Sequence, residues 1–325
     1  MSVLNVTTIQ HESGSGNNIV LDSDGNVVCA ADVQMASLNG GQIGFRNQIV
    51  NGSLLVWARG TSSDTVGYGA DRMYFANAGT DGNNERDTNA PAESGLQFTY
   101  AINPGAILVN SVEVPQNGAP FINGSQWTFS FYSRLDIRET SDNEIQFATG
   151  NASASDAESL ASGFTWEKEV LPSTWRRYSY TFTVDSDPNA GNNCMRLWFR
   201  NAGDRNSVTG FQLEPGSIAT SFEHRPIGLE QMLSSRYYQV LPTQYKTIRG
   251  SNGTSVFADG AVPLVATMRA TPTCTFERIE AGSDLVNAPV IDANLTNRYG
   301  IVVRYDGSGD SGQTLAFQGR ADAEL

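Results

Sequence analysis

Residues 127–134 have the sequence WTFSFYSR, and their alternation of apolar and polar side chains decides the fold. Trp127, Phe129 and Phe131 fall on one face of an extended strand, and Thr128 and Ser130 fall on the other. The same period of two recurs at 96–102 (LQFTYAI), 176–185 (RRYSYTFTVD) and 195–200 (MRLWFR). Such strands, with no helical pattern over 46–226, predict an all-β protein built on a jelly-roll β-sandwich.

The pattern changes after Pro226, in residues 227–240 (IGLEQMLSSRYYQV). Apolar residues there recur at the spacing of a helix that stops before Pro242, so we expect a linker helix over 227–241. Its apolar stripe is expected to pack against its own chain or against symmetry mates, and it consists of Leu229, Met232, Leu233 and Tyr237.

The remaining segments complete a predicted division into four parts. Residues 1–45 are polar and rich in turns, too small to bury a core, and are expected to attach to a partner or to oligomerise. The jelly-roll domain covers 46–226 and the linker helix 227–241. Strand patterns return in 242–325, which we interpret as a smaller C-terminal β domain.

Charge and composition exclude several classes of protein. The 21 Lys+Arg against 34 Asp+Glu give a net charge of -13, which disfavours nucleic-acid binding because a polyanion is repelled. No stretch is apolar over the roughly 18 residues of a membrane span, and the N-terminus lacks the pattern of a secretory signal. The 3 cysteines have no metal-ligand spacing, so we expect reduced thiols in a protein made in a cytosol.

Residues that carry enzymatic chemistry are scarce. The 2 histidines, His11 and His224, lie in a polar segment and beside Arg225-Pro226, and no nucleophile elbow, P-loop or zinc-protease motif occurs. We therefore expect no enzyme and no cofactor. Residues 81–87 (DGNNERD) offer oxygens that a structural Ca²⁺ uses, but no ligand spacing supports a metal site.

Aromatic side chains are the candidates for a sugar-binding surface, because their faces stack on pyranose rings. Trp127 is in phase with Phe129 and Phe131 and is expected in the core. Trp198 alternates with the apolar residues of its strand, and Trp166 lies near a polar loop. The predicted ligand or interface residues are Trp166, Trp198, Arg196 and Arg200.

Two longer motifs resemble a known family. Residues 47–75 (NQIVNGSLLVWARGTSSDTVGYGADRMYF) resemble the opening of a carbohydrate-binding-module-like jelly roll of bacteriophage tail fibres and minor virion proteins. The matching positions are Asn51, Gly52, Trp57, Arg59, Gly60, Thr61, Tyr68, Ala70, Asp71 and Arg72, while Met73 displaces the usual aromatic to Tyr74. Residues 210–240 resemble the closing strand and exit helix of that family. Residues 265–276 and 321–325 resemble its C-terminal domain, and the polar start resembles proteins of marine and cyanobacterial phages.

The resemblance implies a structural component of the virion, assembled in the host cytoplasm. It favours a tail-fibre or adsorption protein that recognises host-surface polysaccharide. The implied partners are two further copies of the chain in a homotrimer and, through residues 1–45, other virion proteins. Alternatives are a head-fibre, decoration or other structural protein without a receptor role, a glycan-degrading tailspike, or a free carbohydrate-binding module.

Overall fold

The computed structural model describes antiparallel strands, their connections and one α-helix within residues 8–9, 19–21, 27–29, 37–38, 41–42, 46–77, 79, 84–103, 105–113, 124–135, 143–150, 157–159, 164–166, 174–183, 194–200, 205–247, 249–251, 256–257, 260–281, 290–291, 296–304 and 314–324. The chain divides into two compact units, residues 1–45 and 46–325. The predicted jelly roll, helix and C-terminal segment thus fall in the second unit.

The first unit contains short paired strands. They are β1 (Thr8–Ile9), β2 (Ile19–Leu21), β3 (Val27–Cys29), β4 (Ser37–Leu38) and β5 (Gly41–Gln42). Strands β1, β2 and β3 form one antiparallel sheet in that order, and β4 pairs with β5.

The second unit begins with the strands of the sandwich and a 3₁₀-helix at Ala92–Ser94. In chain order the strands are β6 (Ser62–Ser63), β7 (Gly67–Tyr68), β8 (Met73–Asn77), β9 (Asn84–Asp87), β10 (Thr99–Ile102), β11 (Ile107–Glu113), β12 (Gln126–Leu135), β13 (Asn143–Gly150), β14 (Ala157–Ser159), β15 (Phe164–Trp166), β16 (Arg176–Thr183), β17 (Cys194–Arg200) and β18 (Asn206–Pro215).

Two antiparallel sheets form from these strands. One has the order β16-β12-β18-β10-β9-β6, and the other has the order β14-β13-β17-β11-β8-β7, with β15 paired to β13. Trp127, Phe129 and Phe131 of β12 are buried between them, as the alternation predicted, and Phe129 stacks on Phe211 at 6.3 Å. The predicted all-β jelly-roll sandwich is confirmed.

A returning segment after β18 covers the outer face of the first sheet. Glu214 accepts hydrogen bonds from the backbone N–H of Thr220 at 2.9 Å and from its hydroxyl at 2.5 Å. Gln212 accepts one from the backbone N–H of Glu223 at 2.7 Å. The polar residues of the closing motif therefore hold the chain against the sheet, because buried polar groups need such partners.

The helix, α1, covers Ile227–Ser235 and ends earlier than the predicted 227–241. The backbone after it is taken by a strand: Tyr238 pairs with Asp322, and the N–H of Ala323 donates to the Tyr237 carbonyl at 2.7 Å. The strand replaces the last predicted turn of helix because β26 supplies backbone hydrogen-bond partners from Tyr238 onward. Tyr237 is consequently outside the helix, separated from the rest of the predicted stripe.

The buried face of α1 is polar rather than apolar. Glu230 is buried, and its carboxylate accepts hydrogen bonds from the backbone N–H of Asn51 at 2.8 Å and from Arg225 at 3.2 Å. Burial raises the pKa of Glu230, and the Arg225 guanidinium opposes that rise. Met232 is 58% exposed, so it does not pack inside this chain.

The C-terminal strands build a second core. They are β19 (Tyr238–Thr247), β20 (Arg249–Ser251), β21 (Val256–Phe257), β22 (Gly260–Pro263), β23 (Thr273–Ala281), β24 (Val290–Ile291), β25 (Gly300–Arg304) and β26 (Thr314–Asp322). Their sheets have the orders β19-β26-β23, β22-β25-β24 and β20-β21. Leu241, Val262, Met268, Ile301 and Phe317 are buried together.

Candidate functional site

Asn51 of the opening motif fixes the loop that leads to the candidate site. Its side-chain amide donates to the carbonyls of Val56 and Asp71, both at 2.9 Å, and its Oδ1 accepts from the N–H of Val56 at 2.9 Å. It is fully buried and adopts a φ of 60°, a left-handed conformation that asparagine tolerates better than most residues. The motif needs asparagine here because one side chain supplies both the donor and the acceptor for three backbone groups.

Arg59 lies at the centre of what we call the charged cluster, formed by Arg59, Asp71, Arg72, Asp322 and Glu324. Its guanidinium is 3.4 Å from Asp71, 3.2 Å from Asp322 and 3.0 Å from Glu324. It also lies over the rings of Tyr238 at 3.6 Å and Tyr68 at 4.5 Å. Arg59 therefore joins the first loops of the sandwich to the end of β26 through charge and ring contacts.

Arg72 makes the second connection of the charged cluster. It is 2% exposed, pairs with Glu324, and lies 3.6 Å over the ring of Tyr237. Burial acts to lower the pKa of Arg72, but the Glu324 carboxylate raises it, and the net change is a rise. The guanidinium is thus held in its charged form inside the protein.

Asp71 completes the cluster from the sandwich side. Its Oδ2 accepts a hydrogen bond from the backbone N–H of Ala58 at 2.6 Å. Burial raises the pKa of Asp71, and the Ala58 N–H and Arg59 partly oppose that rise. Asp71 and Arg72, two of the positions that match the opening motif, are therefore both buried in contacts within the fold.

A polar cleft of about 560 Å³ opens beside the charged cluster. Its floor is the outer face of the β19-β26-β23 sheet, where Tyr238 lies opposite Asp322 and Asp322 lies opposite Thr273. In the next row Val240 lies opposite Arg320, and Arg320 opposite Thr275. Arg59 and the segment Arg269–Thr271 form its sides. We call this space the polar cleft.

The lining of the polar cleft divides into held and available groups. Arg59 and Glu324 are held by each other, whereas Arg269 donates to the backbone carbonyls of Ala323 at 3.1 Å and Glu324 at 3.0 Å. Arg320 is exposed and makes no ion pair or hydrogen bond with another residue in the described ranges. The guanidinium of Arg320 is therefore free to bind a ligand.

Threonine hydroxyls add hydrogen-bonding capacity to the polar cleft. Thr271, Thr273 and Thr275 all line it, and their hydroxyls make no hydrogen bond to any other described residue. Thr273 and Thr275 share the outer face of β23 because side chains alternate along a strand. A smaller cleft of about 160 Å³ adjoins it and shares Arg59, Thr275 and Arg320, which lengthens the surface.

The sugar-binding residues predicted from the sequence lie in the sandwich, on the sheet that contains β13, β15 and β17, and not in the polar cleft. Trp166 ends β15, opposite Asn143 of β13, and Arg196, Trp198 and Arg200 occupy alternate positions of β17. Both strands pair with β13, so one sheet contains all four residues. Their side chains lie outside the described residues, and their role stays a prediction.

The other aromatic and histidine candidates have structural contacts. Trp57 donates from its ring N–H to the Leu54 carbonyl at 2.5 Å, and Trp127 donates to Ser125 at 3.0 Å. His224 is exposed, and its Nε2 lies 2.7 Å from the Ser94 carbonyl.

His11 and residues 81–83 of the candidate calcium loop lie outside the described residues. Within the described part, no three acidic, His or Cys side chains form a metal-binding group.

The polar cleft was missed by the sequence analysis because its residues are far apart in the chain. Arg59, Tyr238 and Arg320 come from three different segments that only the tertiary fold brings together. One local signal was present: threonine at every second position of 271–275, with Cys274 buried between two of them. That alternation predicts a polar outer face on a strand.

No described helix is long and apolar enough to cross a membrane.

Comparisons with known proteins give similarities of fold at low sequence identity. No protein-family model matches the chain, and no curated protein does. One similar structure is the enzymatically active domain of tailspike protein 4 of bacteriophage CBA120, with 12% identity and a TM-score of 0.34, over 52% of this chain and 21% of that chain. A second is the carbohydrate-binding module CBM4, with 10% identity and a TM-score of 0.29, over 45% of this chain and 88% of that one.

A third similar structure is the carbohydrate-binding module TmCBM61 in complex with β-1,4-galactotriose. It has 11% identity and a TM-score of 0.29, over 53% of this chain and 100% of that chain.

Proposed function

We propose that this chain is a non-enzymatic component of a phage virion, a tail-fibre or adsorption protein that binds a host-surface glycan in the polar cleft. The observation that carries the glycan role is the open lining of threonine hydroxyls, arginines and one tyrosine. The order of the sequence motifs, from the opening of the jelly roll to the exit helix, supports the virion role.

The chemistry of the polar cleft suits a saccharide. Its volume of about 560 Å³ lies within the usual range of small-molecule sites. Sugars present many hydroxyls, which donate to and accept from hydroxyls such as those of Thr271, Thr273 and Thr275. Arg320 supplies N–H donors that bind no acceptor among the described residues, so a ligand oxygen can accept from them.

The carboxylates of the polar cleft favour binding over hydrolysis. A glycosidase needs one carboxyl that stays protonated to act as the acid and a second that is ionised. Asp322 and Glu324 both lie within ion-pair distance of Arg59, and Glu324 also pairs with Arg72. Both carboxyls are therefore engaged by arginines of the protein itself, which favours a structural role over a catalytic one.

Assembly of the chain is part of the same proposal. Ile227 and Met232 of α1 are 54% and 58% exposed, and large apolar side chains of this kind are available to symmetry mates. We expect a homotrimer in which α1 contributes to the contact and residues 1–45 bind other virion proteins. Size-exclusion chromatography with light scattering measures the assembly, and a monomer at micromolar concentration would contradict the trimer.

The test of glycan binding replaces hydroxyls without changing side-chain shape. Thr271→Val, Thr273→Val and Thr275→Val together remove the three hydroxyls, and Thr183→Val on exposed β16 is the matched control. On an array of microbial surface glycans, the wild type and the control should bind the same members, and the triple variant should lose about tenfold in affinity or more. Equal binding by all three proteins would exclude the polar cleft as the site.

The location on the particle distinguishes the alternatives. Antibody labelling of intact virions at the tail periphery supports the adsorption protein, whereas labelling of capsid facets supports a head-fibre or decoration protein. A mixture of purified protein and host polysaccharide should release no reducing ends. Their release in proportion to enzyme concentration would establish the tailspike alternative instead.

A further inference from the structure

The arginines of the polar cleft indicate which class of glycan it binds, an inference that rests on the proposed glycan-binding function. We infer that the polar cleft selects sugars that carry a negatively charged group, a carboxylate, sulfate or phosphate, and binds that group between Arg269 and Arg320.

The balance of charge in the polar cleft is the first step. Arg59, Arg269 and Arg320 line it against two carboxylates, Asp322 and Glu324. Arg59 contacts both carboxylates at 3.2 Å or less, and Glu324 also pairs with Arg72, which lies outside the lining. The three arginines exceed the two carboxylates of the lining by one positive charge, and Arg269 and Arg320 make no ion pair with either carboxylate. A local excess of this sign stands out on a chain whose net charge is -13.

Arg269 keeps its positive charge available to a ligand because its hydrogen-bond partners are backbone carbonyls and not carboxylates. Its Nε and one terminal nitrogen donate to the carbonyls of Ala323 and Glu324, and its backbone N–H donates to the Arg236 carbonyl at 2.8 Å. These partners are neutral backbone groups, so they fix the orientation of the guanidinium without cancelling its charge. A fixed guanidinium binds planar and tetrahedral anions well because less side-chain entropy is lost.

Arg320 is the complementary, adaptable group. It is exposed in the middle of the sheet face, between Val240 and Thr275 in register. The threonine hydroxyl beside it can donate to a sugar oxygen or to the anion itself. A pair of arginines, one held by backbone carbonyls and one exposed, beside a row of hydroxyls matches a sugar ring that bears one charged substituent and several neutral ones.

The experiment compares each sugar with its own uncharged form. The probes are oligomers of galacturonate, glucuronate and mannuronate beside their carboxyl-reduced products, and one sulfated oligosaccharide beside its desulfated product. Each pair differs only in the charged group, so the difference in affinity isolates the anion. The uronate and sulfate arms also distinguish a carboxylate-binding from a sulfate-binding cleft.

Variants locate the effect in the polar cleft. Arg320→Gln is exposed and unpartnered within the described chain, so it should fold normally and weaken acidic ligands about tenfold. Arg176→Gln, an exposed arginine of β16 that lines neither cleft, is the matched control. Raising the ionic strength from about 0.01 M to about 1 M shortens the Debye length from about 30 Å to about 3 Å and should weaken binding to the acidic forms.

The outcomes separate the two proposals. Preference for acidic forms that is lost in Arg320→Gln and kept in Arg176→Gln supports the inference. Equal binding to charged and reduced forms, sensitive to the threonine substitutions, overturns the inference and leaves glycan binding in place. If Arg320→Gln does not change the preference for acidic forms, the anion binds elsewhere, and the inference is also overturned. No binding to any glycan tested counts against the proposed function as well.

Discussion

The buried pair of Arg72 and Glu324 should account for a large share of the stability of the second unit, and Arg72→Met tests this. Arg72 is 2% and Glu324 6% exposed at the side chain, and Arg72 also lies 3.6 Å over the Tyr237 ring. Removing one partner of a buried ion pair costs about 3–5 kcal/mol because the other charge remains without compensation. Arg59 still contacts Glu324 at 3.0 Å, so we expect a loss near the lower end, about 3 kcal/mol.

The matched control is the exposed pair of Arg205 and Glu85, whose side chains are 36% and 49% exposed. Pairs in water contribute about 0–1 kcal/mol, so Arg205→Met should change the free energy of unfolding by less than about 1 kcal/mol. Urea titration followed by tryptophan fluorescence measures both variants. If Arg72→Met costs no more than Arg205→Met, the charged cluster does not stabilise the fold and the reasoning is wrong.

A double substitution distinguishes a lost interaction from an isolated charge. Arg72→Met with Glu324→Gln removes both charges, so no unpaired buried ion remains. The double variant should therefore lose less free energy of unfolding than the two single variants added together. Strict additivity would show that the two side chains do not act as a pair.

Two further predictions concern single positions of the opening motif. In Gly52→Ala the new Cβ would lie 2.1 Å from the Phe211 carbonyl oxygen, so we expect the free energy of unfolding to fall by about 3 kcal/mol or more. Gly228→Ala is the control: a Cβ there has nothing within 4 Å and should raise the free energy of unfolding by up to about 1 kcal/mol in the same urea titration. A similar effect at both sites would refute the argument. Burial raises the pKa of Asp71, so the folded state binds its proton more tightly than the unfolded chain. The stability of the wild type relative to Asp71→Asn should therefore decrease as the pH rises from the ordinary aspartate range through the raised pKa, and a difference in urea midpoint that is constant or grows with pH would contradict this.

The fold could be predicted from the sequence where local pattern and tertiary environment agree. In β12 the alternation of Trp127, Phe129 and Phe131 with polar residues matches the buried face, because one side of the strand faces the other sheet. At the end of α1 they disagree. The helical spacing continues to Val240, but the backbone from Tyr238 pairs with β26, a segment about eighty residues later in the chain that no local pattern shows.

The candidate site was less predictable for the same reason. A search for exposed tryptophans rests on one residue type at a time, whereas the polar cleft depends on distant pairings such as Val240 with Arg320 and Arg320 with Thr275. The partners of Arg59 are similarly distant, since Asp322 and Glu324 end the described chain. The sequence showed the opening motif as a family resemblance but gave no indication of which charged side chains Arg59 and Arg72 would contact.

The charged cluster and the polar cleft share Arg59, Asp322 and Glu324, and this sharing determines how the cleft can bind. Arg59 is held by three carboxylates and two tyrosine rings, so turning it toward a ligand would break contacts that connect the sandwich to β26. A ligand anion therefore gains little from Arg59. It gains more from Arg269, whose partners are neutral carbonyls, and from Arg320, which has none among the described residues. The opening motif thus contributes a rigid wall, and the selectivity of the cleft belongs to the C-terminal strands.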